Sequence, residues 1–359
     1  MKRHGHLWER VCDLDNLWVA YRNARKGKVR YRQISEFDPV ADQFIPRLRD
    51  VLVAGEFRTS PYKVFSLVER GKPRTIHALP FYPDRIVHHA ITQVCAPIWE
   101  RSLIRNTFAA LPGRGIHDGV RRVARVVLHS QGLYALKLDV KQFYPSVDHS
   151  ILKQLIRRQI KDPRLLTALD EIIDSGPGLP IGNYLSQYFG NIFLSPIDHC
   201  VTSRMGFRYY FRYCDDIVVL HQEKRKLHCL KKAIEEELGH LLLEVKSNWQ
   251  VFPIAARGLD FIGYRFWPTH TLVRKSTILR LKRRLKVRRP TLSEMARINH
   301  AARSISGWLK HADTAKLKRV VVQPALGEVH AYVGRFRFGQ AIHHHIPRRL
   351  SRSRCAAAD

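Results

Sequence analysis

The chain has 359 residues, 45% of them hydrophobic, which excludes a disordered tail protein and leaves room for more than one domain. Lys and Arg number 62 against 31 Asp and Glu, a net charge of +31, so the expected partner is a polyanion; nucleic acid comes before membrane because no basic amphipathic anchor stands out. No apolar run reaches the roughly 18 residues of a transmembrane helix, the start "MKRHGHLWERVCDLDNLW" lacks a signal-peptide core, and six cysteines without a CxxC pair read as reduced thiols of a cytoplasmic protein.

Residues 1–60 read as helical: in "DLDNLWVAYRNARKG", Asp13 or Asp15 serves as cap, and Leu17, Ala20, Tyr21 and Ala24 make one face. "YKVFSLVERGKPRTIHALP" (62–80) predicts two strands around the turn Arg70-Gly71-Lys72-Pro73. "DRIVHHAITQVCAPIWE" predicts a helix. "YALKLDVKQFY" predicts a strand with Tyr134, Leu136, Leu138 and Val140 on one face and Asp139 on the other. "SVDHSILKQLIRRQI" is a helix capped by Ser146 or Asp148, and "NYLSQYFGNIFLSPIDHCV" has Leu185, Phe189, Ile192 and Phe193 at helical spacing. "FRYYFRYCDDIVVL" (207–220) then sets Asp215 and Asp216 between two apolar halves. Neighbouring strand side chains diverge, so these carboxylates share a site only if the chain turns between the halves. A helix, "KLHCLKKAIEEELGHL", and a hairpin, "GLDFIGYRFWP" (258–268), follow. From Arg274 the basic helical stretch "RKSTILRLKRRLKVRRP" suggests a separate small domain. The tail reads as irregular and basic, and its "IHHH" (342–345) as part of that character ahead of a metal site.

Asp139, Asp215 and Asp216 are the acidic residues whose convergence suggests chemistry. Phosphoryl transfer with two divalent ions needs carboxylates on rigid strands, the ions lying about 3.5–4 Å apart. Magnesium suits such a site, because it takes few carboxylates and keeps water and phosphate ligands. The competing reading of Asp215-Asp216 is a plain turn, where Asp is common.

The order of these motifs resembles the reverse transcriptases over about residues 60–270. "LKLDVKQFYPSVDH" is similar to the first palm motif, "GLPIGNYLSQYFGNIFLSPID" to the second and "RYCDDIVVL" to the Y-x-D-D motif, while "HLLLEVKSNWQV" and "LDFIGYRFWP" resemble the next two. The resemblance implies an α+β right-hand polymerase: fingers and palm built of an antiparallel sheet plus helices, and a small helical thumb. The expected organisation is an N-terminal helical or fingers segment 1–60, fingers and palm 61–270, thumb 271–320 and basic tail 321–359. It implies Asp139, Asp215 and Asp216 as catalytic residues and ligands of two Mg2+ ions, with Asp216 the least direct. Tyr144 matches the aromatic gate that excludes a ribose 2′-OH. Lys63, Arg70, Lys72 and Arg74 lie where the family's fingers hold the incoming deoxynucleoside triphosphate; Arg74 fits best, a guanidinium matching phosphate geometry. Ile181, Gly182 and Gln187 fall in the nucleotide-binding second palm motif, with Gly182 letting backbone approach the nascent base pair. Lys246 corresponds loosely to the lysine that protonates pyrophosphate, and Gly263 and Tyr264 to the primer grip. Arg280, Lys282, Arg283, Arg284 and Lys286 would grip the backbone of the RNA/DNA hybrid.

Within the superfamily, Gln-Gly is usual where this chain has Ile181-Gly182 followed by Ser186-Gln187. That pattern, with "DRIVHHAI", "GRGIHDGV", "FIGYRFWPTH" and "SGWLKHADT", resembles the reverse transcriptases of diversity-generating retroelements and extends the match to roughly 15–315. The implied activity is error-prone copying of a template RNA, with errors at adenine, alongside a small basic accessory variability determinant protein. Cys214 departs from the commoner Met or Ala in Y-x-D-D. The alternatives are a phage-defence or group II intron-like reverse transcriptase without adenine mutagenesis, an RNA-directed RNA polymerase, which bulky Tyr144 opposes, and a non-catalytic RNA-binding scaffold, which the intact aspartates oppose.

Overall fold

Four helices open the chain: α1 (Trp8–Cys12), α2 (Leu14–Arg25), α3 (Arg32–Phe37) and α4 (Ala41–Ala54). Asp13 is the cap of α2, its carboxylate accepting the Asn16 N–H at 3.1 Å, and Leu17, Ala20, Tyr21 and Ala24 are the buried face. The computed structural model describes residues 3–69, 71–285 and 292–324, with the backbone alone at residues 72 and 292–296. The "IHHH" segment and the tail from 325 onward lie outside the described residues.

Strands β1 (Lys63–Glu69) and β2 (Lys72–Ala78) pair antiparallel, Glu69 opposite Lys72 and Val68 opposite Pro73. The predicted turn is therefore narrower than Arg70-Gly71-Lys72-Pro73. Gly71, at φ 80°, immediately precedes β2, to which Lys72 and Pro73 belong. A two-stranded ribbon is all edge, and an edge tolerates proline.

Helix α5 (Ile86–Ser102) packs against α2, and α6 (Ile116–His129) precedes β3 (Tyr134–Asp139). Then come α7 (His149–Arg157), capped by Asp148 through the Ile151 N–H at 2.9 Å, α8 (Pro163–Asp174) and α9 (Ser186–His199). Strands β4 (Tyr210–Tyr213) and β5 (Asp216–His221) form the expected hairpin, followed by α10 (Lys224–His240), β6 (Gln250–Pro253) and the short α11 (Ile254–Arg257). The sheet runs β4-β5-β3-β6, with antiparallel pairing throughout. Its middle strands bury Leu136, Leu138, Ile217, Val218, Val219 and Leu220, and α10 packs on it. The fold is thus the expected mixture of helices with antiparallel sheet.

The described chain divides into two compact units. The first comprises residues 1–262 with 266–269. The second comprises Gly263–Arg265 and the residues from His270 onward. Strands β7 (Leu259–Phe261) and β8 (Tyr264–Phe266) flank Ile262 and Gly263, at φ 44° and 88°, the two positive angles that a type I′ turn requires. After β9 (Thr271–Val273) the described residues of the second unit include the helices α12 (Lys275–Leu285) and α13 (Leu292–Leu309). Along α12, Leu281 and Leu285 are buried four residues apart, while Arg280, Lys282, Arg283 and Arg284 are exposed.

Candidate active site

The ladder between β3 and β5 ends on Asp139 opposite Asp216. Tyr213 pairs with Asp216, so Cys214 and Asp215 alone make the turn between β4 and β5. Cys214 has φ 53°, and a positive φ at the first of two loop residues is the pattern of a type II′ turn. This is the turn that two adjacent carboxylates need to serve one place: Asp215 projects at the hairpin tip and Asp216 begins the next strand.

Asp139 and Asp215 meet side chain to side chain. Burial, and then the Asp139 carboxylate, push the Asp215 carboxyl up to about 7. Repulsion between like charges in a poorly hydrated place is relieved by a proton or by a cation. Asp216 faces a different neighbour, with Lys137 Nζ 3.6 Å from its carboxylate. Among the described residues no group of three His, Cys, Asp or Glu side chains lies close enough together to hold a metal ion. Of the three expected ligands, Asp216, opposite Asp139 across the ladder, has Lys137 beside its carboxylate, while Asp139 and Asp215 are the two that meet side chain to side chain. Such a pair fits a magnesium ion, whose remaining ligands are water and phosphate.

Lys246 is brought to the same place: its N–H donates to the Asp139 carbonyl at 2.8 Å and its Nζ lies 3.5 Å from the carboxylate. Tyr144 follows β3 in a short 3-10 turn, and its hydroxyl lies beside the Cys214 thiol. Burial, and then Cys214 and Asp215, push the Tyr144 hydroxyl far up, so it stays neutral. Cys214, singled out as a departure from the usual residue, thus touches the ring expected to act as the sugar gate.

Ile181 and Gly182 lie just before α9, and the Ile181 carbonyl accepts the His77 N–H of β2 at 2.8 Å. Gly182 has φ 119°, and a Cβ there would stand 2.5 Å from the His77 carbonyl oxygen. The close approach that requires glycine is thus made by the β2 backbone; the expected approach to a base pair is a different contact. Gln187 is exposed on the first turn of α9. On the ribbon, Lys63 is exposed and Arg74 Nε lies 2.9 Å from Glu69, both side chains about half exposed (52% and 54%), so the guanidinium is open to exchange partners. Arg70, the side chain of Lys72 and Lys286 lie outside the described residues.

The expected primer grip departs from the reading of its aromatic residue. Tyr264 is fully buried, its ring stacked on Trp308 at 5.3 Å and its hydroxyl donating to the Trp308 carbonyl at 3.0 Å. A Cβ on Gly263 would stand 2.5 Å from the same indole. Trp308 thus explains both residues by packing, and the Tyr264 ring is not presented to a nucleic acid.

Sequence reasoning missed Asp198, Asn191 and Arg212, a buried polar group beneath the turn. Arg212 and Asp198 are fully buried, paired at 2.6 Å. The available signal was a charge inside each of two apolar stretches, "YYFRY" and "FLSPIDH".

A sheet with this carboxylate-bearing hairpin defines the class, a mixed α and β protein of palm type. Residues 63–266 match the reverse transcriptase (RNA-dependent DNA polymerase) family, and the chain belongs to that family. It is 28% identical over 266 residues to protein YkfC of Escherichia coli (strain K12), covering 61% of this chain and 70% of that protein. It is 25% identical over 268 residues to the group II intron-encoded protein LtrA of Lactococcus lactis subsp. cremoris, covering 69% of this chain and 44% of LtrA. Apo telomerase from Candida tropicalis aligns with a TM-score of 0.46 and 12% identity over 70% of this chain and 59% of that one. No helix among the described residues is long and apolar enough to cross a membrane.

Proposed function

We propose that the chain polymerises deoxynucleotides on an RNA template, and that the meeting of Asp139 and Asp215 at the tip of the β4–β5 hairpin is its catalytic centre. Magnesium held by these carboxylates would supply the charge that stabilises the transferring phosphate. Lys246, beside Asp139, is placed to give a proton to the departing pyrophosphate. The Tyr144 ring excludes a ribose 2′-OH, and Arg74 on the fingers ribbon exchanges Glu69 for the triphosphate. Asp215→Asn keeps the shape of the side chain and removes its charge. RNA-templated primer extension in magnesium should fall by orders of magnitude; full activity in this variant refutes the assignment.

The narrower reading is a diversity-generating retroelement enzyme that misreads template adenines and works in the cytoplasm with a basic accessory variability determinant protein. Ile181 in place of the usual Gln supports it. Two near-identical repeats in neighbouring DNA, differing mainly at adenines, would decide between this and a phage-defence or intron-type enzyme.

A further inference from the structure

Arg212 lies wholly inside the first unit, on β4, two residues before Cys214, and each of its five N–H donors has an acceptor. Nε and Nη2 form a fork on the Asp198 carboxylate at 2.7 and 2.6 Å. Nη2 also donates to the Asn191 carbonyl at 3.3 Å, and Nη1 to Asn191 Oδ1 at 3.1 Å. The remaining bond, from Nη1, goes to the Cys214 carbonyl at 3.0 Å. Asp198 is equally buried and also accepts the Tyr210 hydroxyl at 2.6 Å. Burial alone would lower the Arg212 pKa, but Asp198 outweighs it and the guanidinium stays charged.

This connects two elements that the chemistry needs in fixed relation. Asn191 and Asp198 lie on α9, the helix that follows Ile181 and Gly182. Cys214 is the left-handed residue of the turn, and its peptide leads directly to Asp215. A non-glycine residue keeps such a conformation only when its surroundings over-determine it. Here the guanidinium bonded to α9 also bonds the carbonyl of that strained residue. Relaxation of the turn would carry Asp215 away from Asp139.

We propose that Arg212 is a positioning residue for nucleotidyl transfer, spanning Asp198 and Asn191 of α9 and the Cys214 carbonyl so that Asp215 meets Asp139. The proposal rests on the polymerase reading above. A purely structural role makes a different forecast, because a buried ion pair is often replaceable by apolar residues of similar volume without loss of stability.

The test is the double variant Asp198→Leu/Arg212→Met, assayed by thermal unfolding and by RNA-templated primer extension in magnesium beside the full wild-type chain. The variant should unfold near the wild-type temperature. Its kcat should fall on the order of 100-fold, the effect of a small misplacement of a catalytic group, with little change in KM for the deoxynucleotide, because Arg212 touches no substrate. Arg212→Lys, which keeps the charge but cannot span Asp198 and the Cys214 carbonyl together, should fall between the two. A folded double variant with wild-type kcat overturns the proposal. If the double variant does not fold, wild-type kcat in Arg212→Lys overturns it. A wild-type enzyme that extends no primer in magnesium would instead defeat the polymerase reading.

Discussion

At Ile181 the usual glutamine would offer two donors and an acceptor to an incoming nucleotide. Isoleucine offers shape alone, so right and wrong nucleotides lose the same fixed bond and discrimination rests more on base pairing. A tenfold change in selectivity is only about 1.4 kcal/mol, within reach of one or two hydrogen bonds. Ile181→Gln should therefore lower misincorporation opposite adenine when cDNAs from one RNA template are sequenced beside the wild type; an unchanged rate would mean that infidelity lies in other residues, Arg74 being the next candidate, or that the enzyme is not mutagenic. Tyr144→Ala should admit ribonucleotides while deoxynucleotide use survives, measured as the ratio of kcat/KM for the two sugars. Cys214 and Asp215 border that ring, so some loss of overall rate should accompany the change. That Asp139 and Asp215 come together was readable beforehand, because one ends a strand and the other sits at the tip of a hairpin that the apolar halves around it announce. Arg212 was not: its five acceptors come from residues 191, 198 and 214, and only folding collects them.

On the scale of elements, α5 carries a cost that depends on pH. His88 is fully buried, and neither ring nitrogen has a hydrogen-bond partner among the described residues. Burial, then the charges of Arg85 and His89, depress its pKa from 6.5 to about 3, and burial with Lys28 and Arg85 depresses His89 to about 4. A base depressed in the folded state contributes stability that is present above its unfolded pKa and lost as pH falls. Urea midpoints should decline as pH drops from about 6.5 towards 4, and His88→Leu should decline less steeply, with His89 supplying the remaining slope; parallel curves would refute this. Helix α5 itself was legible in "DRIVHHAITQVCAPIWE", and the caps were narrowed to Asp13 or Asp15 and to Ser146 or Asp148, of which folding selects Asp13 and Asp148. The extent of the fingers turn was not, because Pro73 reads as a turn residue wherever it stands, and only the ribbon's lack of further strands admits it to β2.

For the whole molecule, a charge of +31 on 359 residues makes binding to nucleic acid a matter of counterion release. Each phosphate neutralised on a duplex contributes about −0.9 to the slope of log K against log salt. Charge reversal at Arg280, Lys282, Arg283 and Arg284, all exposed on α12, should flatten that slope and shorten products, while addition of a single nucleotide is nearly unchanged. Affinity that is flat from low to moderate salt would contradict it. The basic stretch from Arg274 was visible in the composition, but the packing of the residues around it was not. Tyr264 belongs to that packing through Trp308, 44 residues further along the chain, and local pattern carries no trace of so distant a partner.

The hydrogen bond from the His77 N–H to the Ile181 carbonyl has a consequence for how such an enzyme can evolve. It makes the start of the second palm motif a third rail beside the fingers ribbon, three residues from Arg74. Under the proposed roles of Arg74 and Ile181, the grip on the triphosphate and the tolerance of mismatches would share one backbone, so selection could not adjust either alone. A lineage seeking greater accuracy through the ribbon would alter its nucleotide affinity at the same time, and a lineage seeking faster copying at low nucleotide supply would inherit a new spectrum of errors.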